Sequence, residues 1–509
     1  MLVEFILIIC GLFGCVYFYF TANNNYWKTR GIPFIKPDFV FGNFKDAFLG
    51  RKHFGLIFAD LYNKFPGSPF AGVMMSMEPF LMIRDPEIIR TVMVTDFRCF
   101  TDNDFTVNHE KNPMWGSNPF TNKGELWKAI RARWTPHMTP GRVKQAYSSM
   151  ENRASVMVNH VKERVEADPN SEFLARDMIA SFLTDSIAMG TFGIEINSYE
   201  TPQNPFKRIA NIVFESDYWA NIIPTLFLIA PWLDKIIRFE SQEVIDLAFA
   251  AARGIMECQK ETGLPKNEMY TALTNYSVAD SKAGFSELDL ATRIFGLLLD
   301  GAETTSGPVS SALFELACNP DIQKRLQEEL DKAAAENGGR LNYEIIDQLP
   351  YLDMVFLEAL RHYPPLIHLT RVCTEPITLK KGNVQVKVPV GMTLAIPALG
   401  IHMDPEYYPD PHKFNPEHFA PGMVETRPKI TFMPFGCGPR TCIGMRLGTV
   451  EAKVAIANLV KNFMIRPVGD RYARPIPVDP NVFVMRPLQE LKVTFSPRSQ
   501  ETFIHQNNN

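Results

Sequence analysis

Cysteine occurs in this chain without any arrangement. The eight cysteines, at positions 10, 15, 99, 258, 318, 373, 437 and 442, form no Cys-x-x-Cys pair and no disulfide-dense framework, so the sequence predicts a reducing compartment. Cys437 and Cys442 have no further cysteine or histidine near enough in sequence to make a zinc site. A basic surplus is also lacking. Lys and Arg number 52 against 56 Asp and Glu, a net charge of −4, and this excludes the electrostatic footprint of a nucleic-acid-binding chain. No dinucleotide fingerprint is present: Gly436-x-Gly438-x-x-Thr441 lacks the last glycine and opens no clear βαβ unit. Long uncharged apolar runs are scarce. Phe5 to Phe20 is one, and with Leu2 and Val3 it is just long enough to span a bilayer. Glu4 precedes it and Lys28 and Arg30 follow, which by the positive-inside rule leaves the bulk of the chain in the cytosol. A cleaved signal peptide would want a basic start and a small-residue cleavage site, and neither is evident. The reading is therefore a retained membrane anchor over 1–22 and a stiff, proline-containing linker over 23–42, with Pro33 and Pro37.

What the chain does contain is 46% hydrophobic residues in 509, enough for a large core, with two or three domains as the default expectation from length alone. Phe70 to Ser76 and Phe80 to Ile83 read as two short strands, and Asp85-Pro86-Glu87 as a helix start. Residues 103 to 121 are polar and irregular, with Phe105, Trp115 and Phe120 among them. They read either as a mobile loop over a binding site or as an ordinary surface loop. Trp127 and Arg131, four apart, share a helix face, where a cation–π pair is the plain interpretation. Residues 142 to 260 read as amphipathic helices. Ile222 to Leu233 is an apolar run broken by Pro224 and Pro231, too short to span a membrane and open to two readings, buried core or a loop dipping into a bilayer. Asn275-Tyr276-Ser277 matches a glycosylation sequon that a cytosolic domain would never present to the transferase.

Ser286 and Asp289 predict a capped helix start, and the pattern runs on to Cys318, roughly 48 Å of helix. Ile294 to Leu299 is apolar on nearly every side, so this helix is buried. Polar residues then interrupt it: Asp300, Gly301, Glu303, Thr304 and Thr305. Buried polar groups need partners or a purpose. Gly301 would let a ligand approach, and Pro308 predicts an opening of the ladder at the Thr304 carbonyl. A Ser/Thr-rich kink in a core helix is the alternative. Further on, Leu352, Val355, Phe356, Ala359 and Leu360 form an apolar stripe, with Glu358 and Arg361 three apart on the other face. A solvated ion pair is the plain reading, and Glu87 and Arg90 match the same spacing. Only Glu358 and Arg361 are followed by Pro364-Pro365 and a candidate hairpin, in which Val384 to Val388 would pair with Met392 to Ile396 across Pro389-Val390-Gly391.

The densest signal is Phe435-Gly436-Cys437-Gly438-Pro439-Arg440-Thr441-Cys442-Ile443-Gly444, followed at once by an apolar helical pattern from Ile443 to about Val460. A free Cys thiol has a pKa of roughly 8.5, and a helix N-terminus favours its thiolate. Gly436 and Gly438 allow a tight turn and close approach to a flat ligand, and Gly444 has no Cβ to obstruct one. Arg440 is always charged and suits an anionic group. Phe435 could cover the sulfur.

Phe-x-x-Gly-x-Arg-x-Cys-x-Gly in this order resembles the signature of the cytochrome P-450 family, the haem–thiolate monooxygenases, and the resemblance extends over essentially the whole chain. It implies a mainly α fold with a smaller β-rich part and an N-terminal transmembrane anchor, in which 43–500 is one haem-binding monooxygenase domain and 501–509 a polar tail. It implies haem b (iron protoporphyrin IX) with Cys442 as the axial thiolate and metal ligand. Trp127, Arg131, Arg371 and Arg440 would lie at the propionates, and Gly301, Phe435, Gly438 and Gly444 against the macrocycle or its ligand. Asp300-Gly301-Ala302-Glu303-Thr304 resembles the oxygen-activation motif, in which Thr304 would hydrogen-bond dioxygen and help deliver protons while Glu303 connects that relay to solvent. Where the family usually has Ala or Gly before this glycine, the chain has Asp300. Glu358 and Arg361 would join a residue of a later meander, Asn415-Pro416-Glu417-His418-Phe419, with His418 where the family usually has Arg. Loop 103–121, Leu366 to Leu369 and Asn481 to Met485 would border the substrate. Arg133 to Pro140 resembles insect microsomal members, which implies the endoplasmic reticulum membrane and lipophilic foreign compounds such as plant toxins and insecticides. Hormone or fatty-acid hydroxylation is the alternative. Relatives that rearrange peroxides often lack the threonine, so Thr304 and Glu303 argue against that reading. A membrane-tethered, non-enzymatic haem protein is a third. With no nucleotide motif of its own, the chain would take electrons from NADPH–cytochrome P-450 reductase, with cytochrome b5 as a further partner, docking near Arg440 and Arg446.

Overall fold

The N-terminal apolar run folds as α1 (Leu2–Thr21), none of whose residues is buried. In this computed structural model, which describes residues 2–116, 118–214, 233, 235–238, 240–262, 286–469 and 476–498, it is the one helix among the described residues long and apolar enough to cross a membrane. It is a candidate anchor. The chain does not leave it as a free tether. Tyr17 and Phe20 of α1 pack on Phe39 with ring centroids 5.8 Å apart. Trp27 is fully buried, its indole N–H donates to the Val73 carbonyl at 3.1 Å, and its ring occupies the space over Gly72, where a Cβ would fall 2.2 Å from it. The greater part of the segment 222–233, the sequon at Asn275 and the 501–509 tail lie outside the described residues.

The larger part of the molecule is helical. Its main helices are α2 (Phe54–Lys64), α3 (Gly124–Trp134), α4 (Pro140–Ala167), α5 (Ala175–Ile187), α6 (Pro205–Phe214), α7 (Gln242–Thr262), α8 (Glu287–Leu297), α9 (Thr304–Cys318), α10 (Pro320–Glu336), α11 (Pro350–His362) and α12 (Met445–Asn462). The predicted capping box is formed. The Ser286 hydroxyl accepts from the Asp289 N–H at 3.1 Å, while the Ser286 N–H donates to the Asp289 carboxylate at 3.0 Å. From there α8 and α9 run on as one buried rod, and α9 packs between α5, α11 and α12. Pro308 sits inside α9, where it has no N–H to give to the Thr304 carbonyl. The ladder also departs from regularity earlier, where residues Leu298–Glu303 form a wider π turn. The loosened turn therefore falls on the polar interruption itself, where π-bulges are often found at functional sites.

Strands come from both ends of the chain. Sheet one runs β1 (Phe70–Met75), β2 (Glu78–Ile83), β7 (Thr393–Ile396), β4 (Leu369–Val372), with β2 and β7 parallel and the other pairs antiparallel. A second sheet joins β3 (Phe173–Leu174), β9 (Lys492–Pro497) and β8 (Phe463–Pro467). The third is the hairpin β5 (Ile377–Lys381) and β6 (Val384–Val388). The expected pairing of 384–388 with 392–396 is thus wrong. Lys381 pairs with Val384 around a two-residue Gly382-Asn383 loop, with Gly382 at φ +55°, and this tight turn matches strand twist better than the longer Pro389-Val390-Gly391 link. The latter leads β7 into a different sheet.

Candidate active site

The cysteine loop closes on itself through its backbone. Cys442 N–H donates to the Phe435 carbonyl at 2.8 Å, Gly436 N–H to Met433 at 3.0 Å and Thr441 N–H to Gly438 at 3.0 Å. Gly436 and Gly438 take φ values of +67° and +72°, the left-handed region that glycine enters at no steric cost. At Gly438 an added Cβ would lie 1.9 Å from the Met93 carbonyl oxygen. In the direction of a Cβ, Gly438 therefore packs directly on the Met93 backbone. Gly438→Ala is expected to destabilise the fold by more than about 2 kcal/mol, since strain and a backbone clash coincide; thermal unfolding against wild type measures this, and an unchanged midpoint would contradict it. Phe435 is half-buried against the main core.

Helix α12 starts at Met445, two residues later than its apolar pattern predicts, which leaves Cys442 just outside the first turn. Burial pushes the Cys442 thiol up, as does the Asp300 carboxylate, while the backbone N–H groups of Gly444 and Met445 and the Arg131 guanidinium pull the other way. Yet Cys442 has substantial accessible surface. A side chain that is accessible while surrounded by protein faces an interior cleft. Asp300 has the same double character: it is accessible, and burial raises its carboxyl to about 7. The two stand on walls of one cleft. Cys437, by contrast, is half-buried against the sheet-side core, and burial raises its thiol to about 11.

A cluster of arginines lies beside this loop. The Arg440 guanidinium stacks over Trp127 at 4.2 Å. Its Nε donates to the Thr101 carbonyl, and its Nη2 donates to the Asn122 carbonyl at 3.0 Å and lies 3.5 Å from Asp102. The cation on Trp127 is thus Arg440, not Arg131, which corrects the pairing read from helical spacing. Arg371 is buried on β4; Nη1 donates to the Thr370 carbonyl at 2.7 Å, but Nε has no partner. Burial lowers Arg371 to about 10, and burial together with the charges of Arg371 and Arg131 lowers Arg440 to about 10. Three guanidiniums close enough to disfavour one another, one with an orphaned donor, fit an anionic ligand with two carboxylates.

On the long helix the Thr304 hydroxyl donates to the Asp300 carbonyl one turn back. Gly301 faces α5: a Cβ there would meet Ile187 at 2.9 Å, so its smallness serves helix packing. Glu303 is buried and does not itself reach solvent; Arg176 of α5 holds it, with Nε donating at 2.9 Å and Nη2 donating as well. Sequence reasoning missed Arg176, which lies 127 residues upstream with no local pattern to mark it. Asp300 accepts from Asn118 Nδ2 at 3.2 and 3.1 Å. Around Asn118, Phe105 lies 5.8 Å from Trp115, 5.3 Å from Phe120 and 5.5 Å from Phe483 between ring centroids, and Trp115 stacks edge-on against Phe295 at 5.4 Å. The 103–121 loop is therefore an aromatic wall closed by the 481–485 segment.

Behind the cysteine loop, Glu358 and Arg361 are fully buried and not a solvated pair. Arg361 donates to both Glu358 oxygens, at 2.8 and 2.7 Å, and to the carbonyls of His402 and Pro411 at 2.8 and 2.9 Å. His418 Nδ1 lies 3.1 Å from Glu358 and Nε2 2.7 Å from the Pro409 carbonyl. Burial pushes the Glu358 carboxyl up, but hydrogen bonds from Arg361, His362 and His418 outweigh it and hold it well below the usual carboxylate range. Both nitrogens of His418 thus face oxygen atoms.

A family model described as Cytochrome P450 matches residues 33–495. Among curated proteins, "Cytochrome P450 6A1" of Musca domestica is 31% identical over 96% of this chain and 97% of that relative. "Cytochrome P450 6j1" of Blattella germanica is 29% identical over 92% of the chain and 93% of its own length.

Proposed function

Because the chain belongs to the cytochrome P450 family, and so to the haem-binding monooxygenases, we propose that its cleft holds haem b with the Cys442 thiolate as axial ligand and serves to insert one oxygen atom from O2 into lipophilic, foreign compounds. The observation that carries this is Cys442 itself: the more accessible of the two cysteines in its loop, at a helix start whose N–H groups offset part of the cost of burying the sulfur anion. When bound, the haem supplies dioxygen activation and one-electron chemistry.

The remaining work belongs to side chains. Arg371, with its free Nε, Arg131 and Arg440 take the propionates, and Trp127 braces Arg440 by stacking. The Thr304 hydroxyl, now resting on the Asp300 carbonyl, rotates to donate into the cleft and passes a proton to the reacting oxygen. Glu303, held behind it by an Arg176 guanidinium that keeps its charge, passes on the replacing proton from water. The wall of Phe105, Trp115, Phe120 and Phe483 excludes water and offers apolar surface to the substrate. Glu358, Arg361 and His418 lock the core behind the loop. A redox partner is required by the class; NADPH–cytochrome P450 reductase fills that place, with cytochrome b5 as an auxiliary donor, and α1 holds the enzyme on the endoplasmic reticulum with its cleft on the cytosolic side.

The test is turnover by the full-length protein with reductase, NADPH and O2 over a panel of lipophilic plant toxins and insecticides, with fatty acids and steroids alongside. Oxygenated products that vanish when reductase is omitted are expected. Substrate-independent oxygen consumption across the whole panel would refute the reading.

A further inference from the structure

Asp300 is the one feature of the cleft that the reaction does not use. Its carboxylate is accessible within the protein, and its hydrogen-bond partner is a neutral amide, Asn118 Nδ2. No Lys, Arg or His among the described residues pairs with it. Glu303, three residues on, is an acid on this helix that does have a cationic partner: Arg176 donates to it through two nitrogens. An aspartate inside a buried helix costs stability through poor helix propensity and desolvation, and an alanine, the residue type usual here in the family, would avoid both. The cost is offset when a ligand brings the missing cation.

The surroundings specify that ligand. Asn118 lies between Trp115 and Phe120 on the same loop, so the carboxylate and the aromatic wall border one space. Aromatic faces attract cations as well as apolar bodies. The Asp300 charge is also felt at the Cys442 sulfur. The cationic side of the cleft, Arg131, Arg371 and Arg440, is already assigned to another anion in the proposed function, on which this inference rests.

We propose that Asp300 is a substrate-recognition residue that binds the protonated nitrogen of a lipophilic amine, with Asn118 orienting the carboxylate and the Phe105, Trp115, Phe120 and Phe483 rings covering the apolar part. The preferred substrate class is then basic, nitrogen-containing apolar compounds, oxidised at a carbon close to the nitrogen.

The experiment compares two ligands on the full-length protein: N,N-dimethyl-4-phenylbutylamine and its carbon isostere, in which CH replaces N. Calorimetry reads affinity without requiring haem chemistry, and the visible spectrum is recorded in parallel. Wild type is expected to bind the amine about ten-fold or more tightly than the isostere, as for a charge-assisted hydrogen bond in a desolvated site. Asp300→Asn and Asp300→Ala are expected to bring the ratio within about two-fold while keeping the red-shifted absorption band of the reduced carbon monoxide complex. Equal affinities in wild type, a preference that survives in both variants, or a red-shifted ferric Soret band showing that the amine ligates iron directly would each overturn the proposal. If wild type prefers the amine but lacks the carbon monoxide band, the haem–thiolate assignment fails and the Asp300 site stands. With the band present and no preference, the reverse holds.

Discussion

Cys442→Ala is expected to abolish the strongly red-shifted band of the reduced carbon monoxide complex and with it all monooxygenation, whereas Cys437→Ala keeps both. The two cysteines are five residues apart in one loop, yet their surroundings differ in kind. Burial pushes both thiols up, but Cys442 opens onto the cleft and receives the Gly444 and Met445 N–H groups, which favour its anion. Cys437 is packed toward the sheet-side core, where burial holds the thiol near 11 and so protonated. A thiol cannot replace a thiolate as a strong ligand. The measurement is the reduced carbon monoxide spectrum of each purified variant. Retention of the band in Cys442→Ala, or its loss in Cys437→Ala alone, would reverse the assignment.

Glu358→Ala is expected to cost about 3–5 kcal/mol, the range for removing one partner of a buried ion pair. The change leaves Arg361, fully buried, and the Asn415 N–H, which donates to Glu358 at 2.8 Å, without their acceptor. The exposed pair Arg325–Glu417 provides the contrast: Glu417→Ala should cost less than about 1 kcal/mol. Thermal unfolding and haem retention report both. Equal losses at the two sites would show that the buried network does no more than a surface pair. The pH dependence has a definite sign. Glu358 is held below its ordinary value of 4.5, so its contribution is complete above about pH 5 and is lost as pH falls through the depressed value. A wild-type stability that declines in acid more steeply than that of Glu358→Ala is the expected signature.

Local chemistry was legible in the sequence wherever a motif lay within one short stretch. The cysteine loop, the Ser286–Asp289 box and the β1 and β2 strands all follow from neighbours in the chain. Glu358 and Arg361 were singled out by order along the chain and joined to His418 by the family resemblance, but their burial was not visible, because Glu-x-x-Arg alone looks the same in solvent. What the sequence hid was most of the contacts between distant elements. Arg176 reaches Glu303 across 127 residues, Asn118 reaches Asp300 across 182, and Arg440 displaces Arg131 from Trp127. Helical spacing correctly put Trp127 and Arg131 on one face, but a face does not say which cation stacks. The hairpin failed for a related reason: two turns competed, and the tighter Gly382-Asn383 turn took β6. The π turn over Leu298–Glu303 was not visible, because no proline marks it.

The N-terminal helix has a mechanical consequence. Between Thr21 and Trp27 the chain makes successive turns, with Asn24 N–H donating to Thr21 and Tyr26 N–H to Asn23, and Asn23 Nδ2 donating to the Met77 carbonyl at 3.0 Å. Trp27 is then pinned over Gly72 in β1. With α1 in a bilayer, the catalytic body is carried on a short bracket riveted to its own sheet rather than on a leash. Such a bracket transmits torque: tilting the span tilts the sheet. The height and heading of the cleft mouth over the lipid surface are then set by side chains at the foot of the span, far from the chemistry they position.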